Sequence, residues 1–113
     1  MCVNTIETEN VIFNYFENNR REKEVELSTL SVYVRKIDRK FREANKLVYI
    51  DFTKTSLLKA INLHFDLLRC DDKKISLLEE IPPNQIRLVQ SKIPDSIKTD
   101  FLRFFSLVNE EIR

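Results

Sequence analysis

His64, Cys2 and Cys70 are the side chains of this chain best suited to nucleophilic or metal chemistry, and their numbers and spacing point away from both. The single histidine stands at the end of an apolar helical run, with no serine or cysteine at a recognisable spacing. It reads as a core-edge residue, neither general base nor zinc ligand. Cys2 and Cys70 form no CxxC pair, which predicts free thiols in a reducing compartment with no disulfide and no zinc site. Asp71-Asp72 and Glu79-Glu80 are adjacent acids, but an oxygen-ligand calcium loop needs a glycine and regular spacing that are missing here; they read as solvated surface. No catalytic residue, metal ligand, cofactor or small-molecule substrate is expected. The chain reads as a binding protein and not an enzyme.

The count of zero glycines removes whole classes of function. Rossmann fingerprints, P-loops and nucleophile elbows place glycine where the backbone must approach phosphate or turn with positive φ, so none of the three can be built from this sequence. A length of 113 residues suits one domain with a real core. No apolar run approaches the roughly 18 residues of a membrane span, and Met1-Cys2-Val3-Asn4 lacks the features of a signal peptide. An intracellular protein of cytoplasm or nucleus, with no membrane partner, is the expectation.

Net charge is only +1, but its distribution is uneven: residues 1–26 carry −3, residues 35–59 carry +5, residues 60–81 carry −2 and residues 82–113 carry +1. The basic block falls on a predicted helix at about residues 29–44, where Leu30, Val34, Ile37 and Phe41 recur at steps of four, three and four and form an apolar stripe. Arg35, Arg39 and Arg42 lie opposite, with Lys36 and Lys40 on the flanks and Lys46 just beyond. Cations held on one face suit phosphate. A solvated or protein-docking face fits the same pattern, and both readings stay open.

The elements around that helix follow from local signals. Asn4 with Glu7 suggests a capping box for a first helix at about 5–18, bearing Ile6, Ile12, Phe13 and Phe16. Val25-Glu26-Leu27 alternates like a short strand, and Ser28 reads as the N-cap of the second helix. Leu47-Val48-Tyr49-Ile50 fits a strand or a buried connection. Thr53-Lys54-Thr55 opens a third helix at about 54–65, with Leu57, Leu58, Ile61 and Phe65 toward the core and Thr55, Lys59 and Asn62 outside. Residues 67–78 read as a hairpin around Asp71-Asp72-Lys73, in which an aspartate must tolerate the turn geometry. Pro82-Pro83 is the one plausible internal boundary, and Asn84–Gln90 fits a helical turn or an edge strand. A last helix at about 96–112 carries Ile97, Phe101, Phe104, Val108 and Ile112 in one stripe, widened by Leu102 and Phe105. It either completes the core or presents Phe101, Phe104, Phe105 and Val108 to a protein partner or a second copy. The fold class expected is mainly α with a small β-hairpin (α+β), in a single domain over 1–113.

Helix, short strand, helix, connection, helix, hairpin is the order of a winged helix, and residues 10–78 are similar to that superfamily. Val25-Glu26-Leu27-Ser28-Thr29-Leu30, Phe41, Phe52-Thr53-Lys54-Thr55-Ser56-Leu57-Leu58-Lys59-Ala60-Ile61, Asp66-Leu67-Leu68-Arg69 and Lys74-Ile75-Ser76-Leu77 resemble its LOTUS (OST-HTH) branch. The resemblance implies a three-helix core with a two-stranded wing, extended here by residues 84–113. It also implies an adaptor or regulatory subunit in a nucleic-acid-handling complex, touching RNA or DNA, protein partners such as helicases, or both. In a winged helix the third helix enters a groove. Lys54 and Lys59 therefore join Arg35, Lys36, Arg39, Lys40, Arg42 and Lys46 as candidate nucleic-acid contacts.

Overall fold

A first helix that is buried all round organises the chain. The computed structural model describes residues 3–113, so Cys2 lies outside the described residues. Among them, β1 spans Asn4–Ile6, α1 Thr8–Asn18, β2 Glu24–Glu26, α2 Leu27–Glu43 and β3 Val48–Ile50. α3 then spans Lys54–Leu63, β4 Leu68–Cys70, β5 Lys74–Leu77, α4 Pro83–Gln90 and α5 Asp95–Ile112. Every residue of α1 from Thr8 to Phe16 is buried, with α2, α3, α4 and α5 all packed against it. The fold is mainly α with a small β component.

The asparagines inside this core are paired. Asn14 Nδ2 donates to the Asn10 carbonyl at 2.7 Å, Asn10 Nδ2 to the Val89 carbonyl at 3.2 Å, and Gln90 Nε2 to Asn14 Oδ1 at 2.7 Å, which locks α4 onto α1. At the other end of α1, Asn109 Oδ1 of α5 accepts from Asn19 Nδ2 at 2.7 Å and from the Tyr33 hydroxyl at 2.5 Å, joining three elements through one buried oxygen.

The start of the chain departs from the local reading. Residues 4–6 form a strand parallel to β3, in the register Asn4↔Val48, Thr5↔Tyr49, Ile6↔Ile50. The capping box does not form: α1 begins at Thr8 behind Glu7, whose backbone is extended and whose side chain makes no cap. Pairing buries Ile6 and Ile50 together, a gain available only to segments far apart in sequence.

α2 starts one residue after β2 and is not capped by Ser28; the chain enters it from Glu26, and Leu27 N–H donates to the Lys73 carbonyl at 2.8 Å. Its buried stripe is Leu30, Tyr33, Ile37 and Phe41, so Tyr33 takes the interior place expected of Val34, its hydroxyl being satisfied by Asn109. The helix ends in a Schellman motif without glycine: Asn45 takes φ 57°, its N–H donates to the Arg42 carbonyl at 3.0 Å, and Lys46 N–H donates to the Phe41 carbonyl at 2.9 Å. Asparagine tolerates this left-handed position better than other residues that carry a Cβ.

Thr53 caps α3 as its sequence suggests. Ser56 N–H donates to Thr53 Oγ1 at 3.1 Å while Thr53 N–H donates to Ser56 Oγ at 2.8 Å, a reciprocal box. The helix stops at Leu63 and His64 is its C-cap. β4 and β5 form the expected hairpin, and β2 adds to β5 to give the antiparallel order β2-β5-β4. No turn residue there takes a positive φ; Asp71 Oδ1 accepts from the N–H groups of Lys73 at 2.9 Å and Lys74 at 3.0 Å, doing with a side chain what glycine does with backbone freedom.

Pro82-Pro83 opens α4, with Pro83 at a first-turn position where its missing N–H costs nothing, so residues 84–90 are helical. α5 runs antiparallel along α2, with Phe104 edge-on to Phe41 at 5.0 Å and Phe105 against Tyr33 at 5.3 Å. One continuous apolar cluster reaches from Ile6 to Val108. No helix among the described residues is long and apolar enough to cross a membrane.

Candidate nucleic-acid interface

The cations of α2, with Lys46 just beyond its end, separate into two groups. Lys40 Nζ lies 3.0 Å and Lys36 Nζ 3.9 Å from the Glu111 carboxylate, and Lys46 pairs with Asp100, so three lysines meet acids of α5. The bond from Lys46 holds the Asp100 carboxyl below its usual range. Arg35, Arg39 and Arg42 point outward, at the i, i+4, i+7 spacing that lines side chains up on one face. Arg42 reaches back to Asp38 at 3.0 Å, whereas Arg35 and Arg39 have no acid within ion-pair distance among the described residues.

Lys54 and Lys59 are exposed and free of ion pairs among the described residues. They stand on α3, which packs on α1 and β4, while α2 packs on α1, β3 and α5. No ion pair or side-chain hydrogen bond links the two groups of cations. Lys59 instead borders a shallow hollow with Glu7, Thr8 and Asp51.

The C-terminal helix corrects an expectation. Phe101, Phe104, Phe105 and Val108 are all buried against α1 and α2, so they complete the core and offer no surface to a partner or a second copy. A stripe wider than one face has this effect because α5 lies in the angle between two helices, and Asn109 is buried beside it to meet Tyr33 and Asn19.

The apolar face expected of α3 is also rotated. Leu57, Ala60 and His64 face inward, while Leu58 is 52% exposed and Phe65 75% exposed. Leu63 and Leu88 stand on the two banks of a shallow groove between α3 and α4, a cavity of about 270 Å³ whose lining includes His64 and Lys92.

His64 is committed to the fold. Its Nε2 is bonded to Glu9 Oε2 at 2.5 Å, its ring lies edge-on to Phe13 at 4.7 Å, and Lys92 Nζ stands 3.0 Å from the other Glu9 oxygen. Burial pushes the Glu9 carboxyl up, but the His64 hydrogen bond and the Lys92 ammonium outweigh it and hold the group below its ordinary value. Glu7 beside it is raised, first by desolvation and then by Glu9. Cys70 is a free thiol whose pKa is raised by burial and by Asp71 and Asp72, away from the thiolate a nucleophile needs. Glu9 and Lys92 were not among the residues singled out by spacing. Nothing in the sequence marks them, because an acid in the first turn of a helix is ordinary and only the burial of Glu9 asks for a counter-charge.

No protein-family model, curated protein or solved structure matches this chain.

Proposed function

We propose that the chain is a non-catalytic, winged-helix-like binding module over residues 10–78, extended by α4 and α5, that contacts the phosphates of RNA or DNA through Arg35, Arg39 and Arg42. The observation that carries this reading is the pair of exposed arginines, Arg35 and Arg39, with no acid within ion-pair distance among the described residues, in line with Arg42. A guanidinium keeps its charge at any relevant pH and binds phosphate through two parallel bonds. Lys36, Lys40 and Lys46 already meet acids of α5, which cancel much of the charge they could offer a phosphate. The order of helix, strand, helix, helix and hairpin, with β2 joining the hairpin, supports the winged-helix part of the proposal.

The test is retention on single- and double-stranded RNA and DNA as salt is varied. Three phosphate contacts give a slope of log affinity against log salt of about −2 to −3, whereas recruitment of all six α2-region cations would approach −5. The variant R35E/R39E/R42E is expected to abolish retention while its circular dichroism and melting stay those of a folded protein. Wild-type protein that shows no salt-dependent retention on any of the four probes refutes the proposal and leaves a pure protein adaptor.

A further inference from the structure

The outward face of α2 holds more than its arginines. Ser28, Ser31, Arg35, Arg39 and Arg42 are all exposed and follow one another at steps of three, four, four and three, which sets the five in one line along the helix. At 1.5 Å per residue that line is about 21 Å long. It offers neither a ring for a base to stack on nor an amide to read a base edge: α2 contains no asparagine or glutamine, and its aromatic residues, Tyr33 and Phe41, are buried. Acids border the line on both sides. Asp38 stands on one flank, paired with Arg42, and the exposed Glu43 stands on the other, one turn beyond Arg39.

We propose that this line, given the reading that its arginines bind phosphate, lies along one backbone strand of double-stranded nucleic acid, entering no groove and reading no sequence. A helix about 10–12 Å across fills a major groove about 12 Å wide, so each of its flanks meets a wall of phosphates. In that position Asp38 and Glu43 face like charge. Laid on a single backbone strand, the same helix turns only the serines and arginines toward phosphate. Contact through phosphate alone then favours a duplex, which carries one charge per about 1.7 Å of its axis and releases about 0.9 counterion per contact, against about 0.7 for a single strand. Proteins that hold single strands add stacking on aromatic side chains, and this face has none. A rigid line of charge also suits a backbone that is already ordered: Leu30, Tyr33, Ile37 and Phe41 fix α2 in the core beneath the line.

The experiment is fluorescence anisotropy of the full chain, across a range of salt, with DNA and RNA duplexes of about 20 base pairs and with a single-stranded oligothymidine of about 40 nucleotides, which carries nearly as many phosphates. At least one kind of duplex is expected to bind about tenfold or more tightly than the oligothymidine. Duplexes of that kind with A·T-only, G·C-only and mixed sequence are expected to differ by less than about fivefold, below the effect of one misread base pair in a specific site. Ser31→Arg adds a cation to the line one turn before Arg35 and should steepen the slope of log affinity against log salt by about 0.9 on the duplex. Ser28→Arg, also exposed and in line, serves the same purpose if Ser31→Arg fails to fold. A duplex preference below about tenfold, a sequence preference above about fivefold, or an unchanged slope in the folded arginine variant overturns the proposal while phosphate binding by Arg35, Arg39 and Arg42 stands. Absence of binding to every probe overturns both.

Discussion

Substituting Asn109→Ala should destabilise the protein far more than a polar residue near the end of a terminal helix normally would. The side chain is 4% exposed, and its oxygen accepts from Tyr33 and Asn19. Removing it leaves the Tyr33 hydroxyl buried without a partner, while Asn19 keeps its bond to the Tyr15 carbonyl at 2.9 Å. A buried donor left unpaired costs about 1–3 kcal/mol, so one full loss and one partial loss come to about 2–4 kcal/mol. Tyr33→Phe removes the donor instead and leaves Asn109 bonded to Asn19, at about 0.5–1.5 kcal/mol. The double variant should then cost less than the two singles together, by about 1 kcal/mol or more, because no unpaired hydroxyl remains to be buried. Urea unfolding at equilibrium measures all four corners of this cycle, with unchanged slopes required for the comparison. An Asn109→Ala cost below about 0.5 kcal/mol, typical of surface positions, or strict additivity of the singles, would refute the claim that α5 is tied to α1 and α2 through this oxygen.

Other outcomes test the core, the helix end and the buried ion cluster. Phe105→Ala should cost about 3–5 kcal/mol in the same assay, whereas Ser106→Ala, at the exposed position that follows it, should cost less than about 0.5 kcal/mol. At the end of α2, Asn45→Ala should cost about 1 kcal/mol, and Asn45→Gly should cost nothing or stabilise, because alanine tolerates φ 57° less well than asparagine and glycine has no Cβ to strain there. Glu9 has a folded pKa below its ordinary value of 4.5, so its contribution is complete above that value and is lost as pH falls through the lower, folded one. Wild type should therefore lose more stability than Glu9→Gln between about pH 5 and pH 3, measured by thermal melting across that range; parallel curves would remove Glu9 from the acid response.

The parts of the fold that were legible were those fixed by neighbours in sequence. Thr53-Lys54-Thr55 announces α3, the four-three-four spacing announces α2, and the Asp71-Asp72-Lys73 turn announces the hairpin. The pairing of β1 with β3 was hidden because each strand is three residues long and gains its burial only from a segment more than forty residues away. The rotation of α3 was hidden for a different reason. Its sequence carries two candidate stripes, Leu58-Ile61-Phe65 and Leu57-Ala60-His64, and hydrophobicity alone favours the first. The second is chosen by its partners: Ala60 is small enough to let α1 approach, and His64 answers Glu9, which could not be buried without it. A pattern of apolar residues says which faces can be buried. The charge buried on the opposing helix decided which one was.

The same distinction governs the cations. A count of positive residues along α2 treats lysine and arginine alike, yet Lys36, Lys40 and Lys46 meet carboxylates on α5 while Arg35 and Arg39 meet none among the described residues. Exposed pairs of this kind stabilise by little more than about 0–1 kcal/mol each, so they do not hold α5 in place; the Phe41–Phe104 and Tyr33–Phe105 contacts and Asn109 do. What the pairs change is the field outside the helix, since each acid cancels a charge that phosphate would otherwise feel. The surplus that remains is narrow and follows the arginines. On α3 Lys59 shares its hollow with Glu7 and Asp51, so part of its field is cancelled there too, without any ion pair among the described residues. A chain of almost zero net charge therefore presents its least compensated cations along one face of α2, and reversing Arg35, Arg39 and Arg42 should remove a salt-dependent retention that reversing Lys59 leaves largely in place.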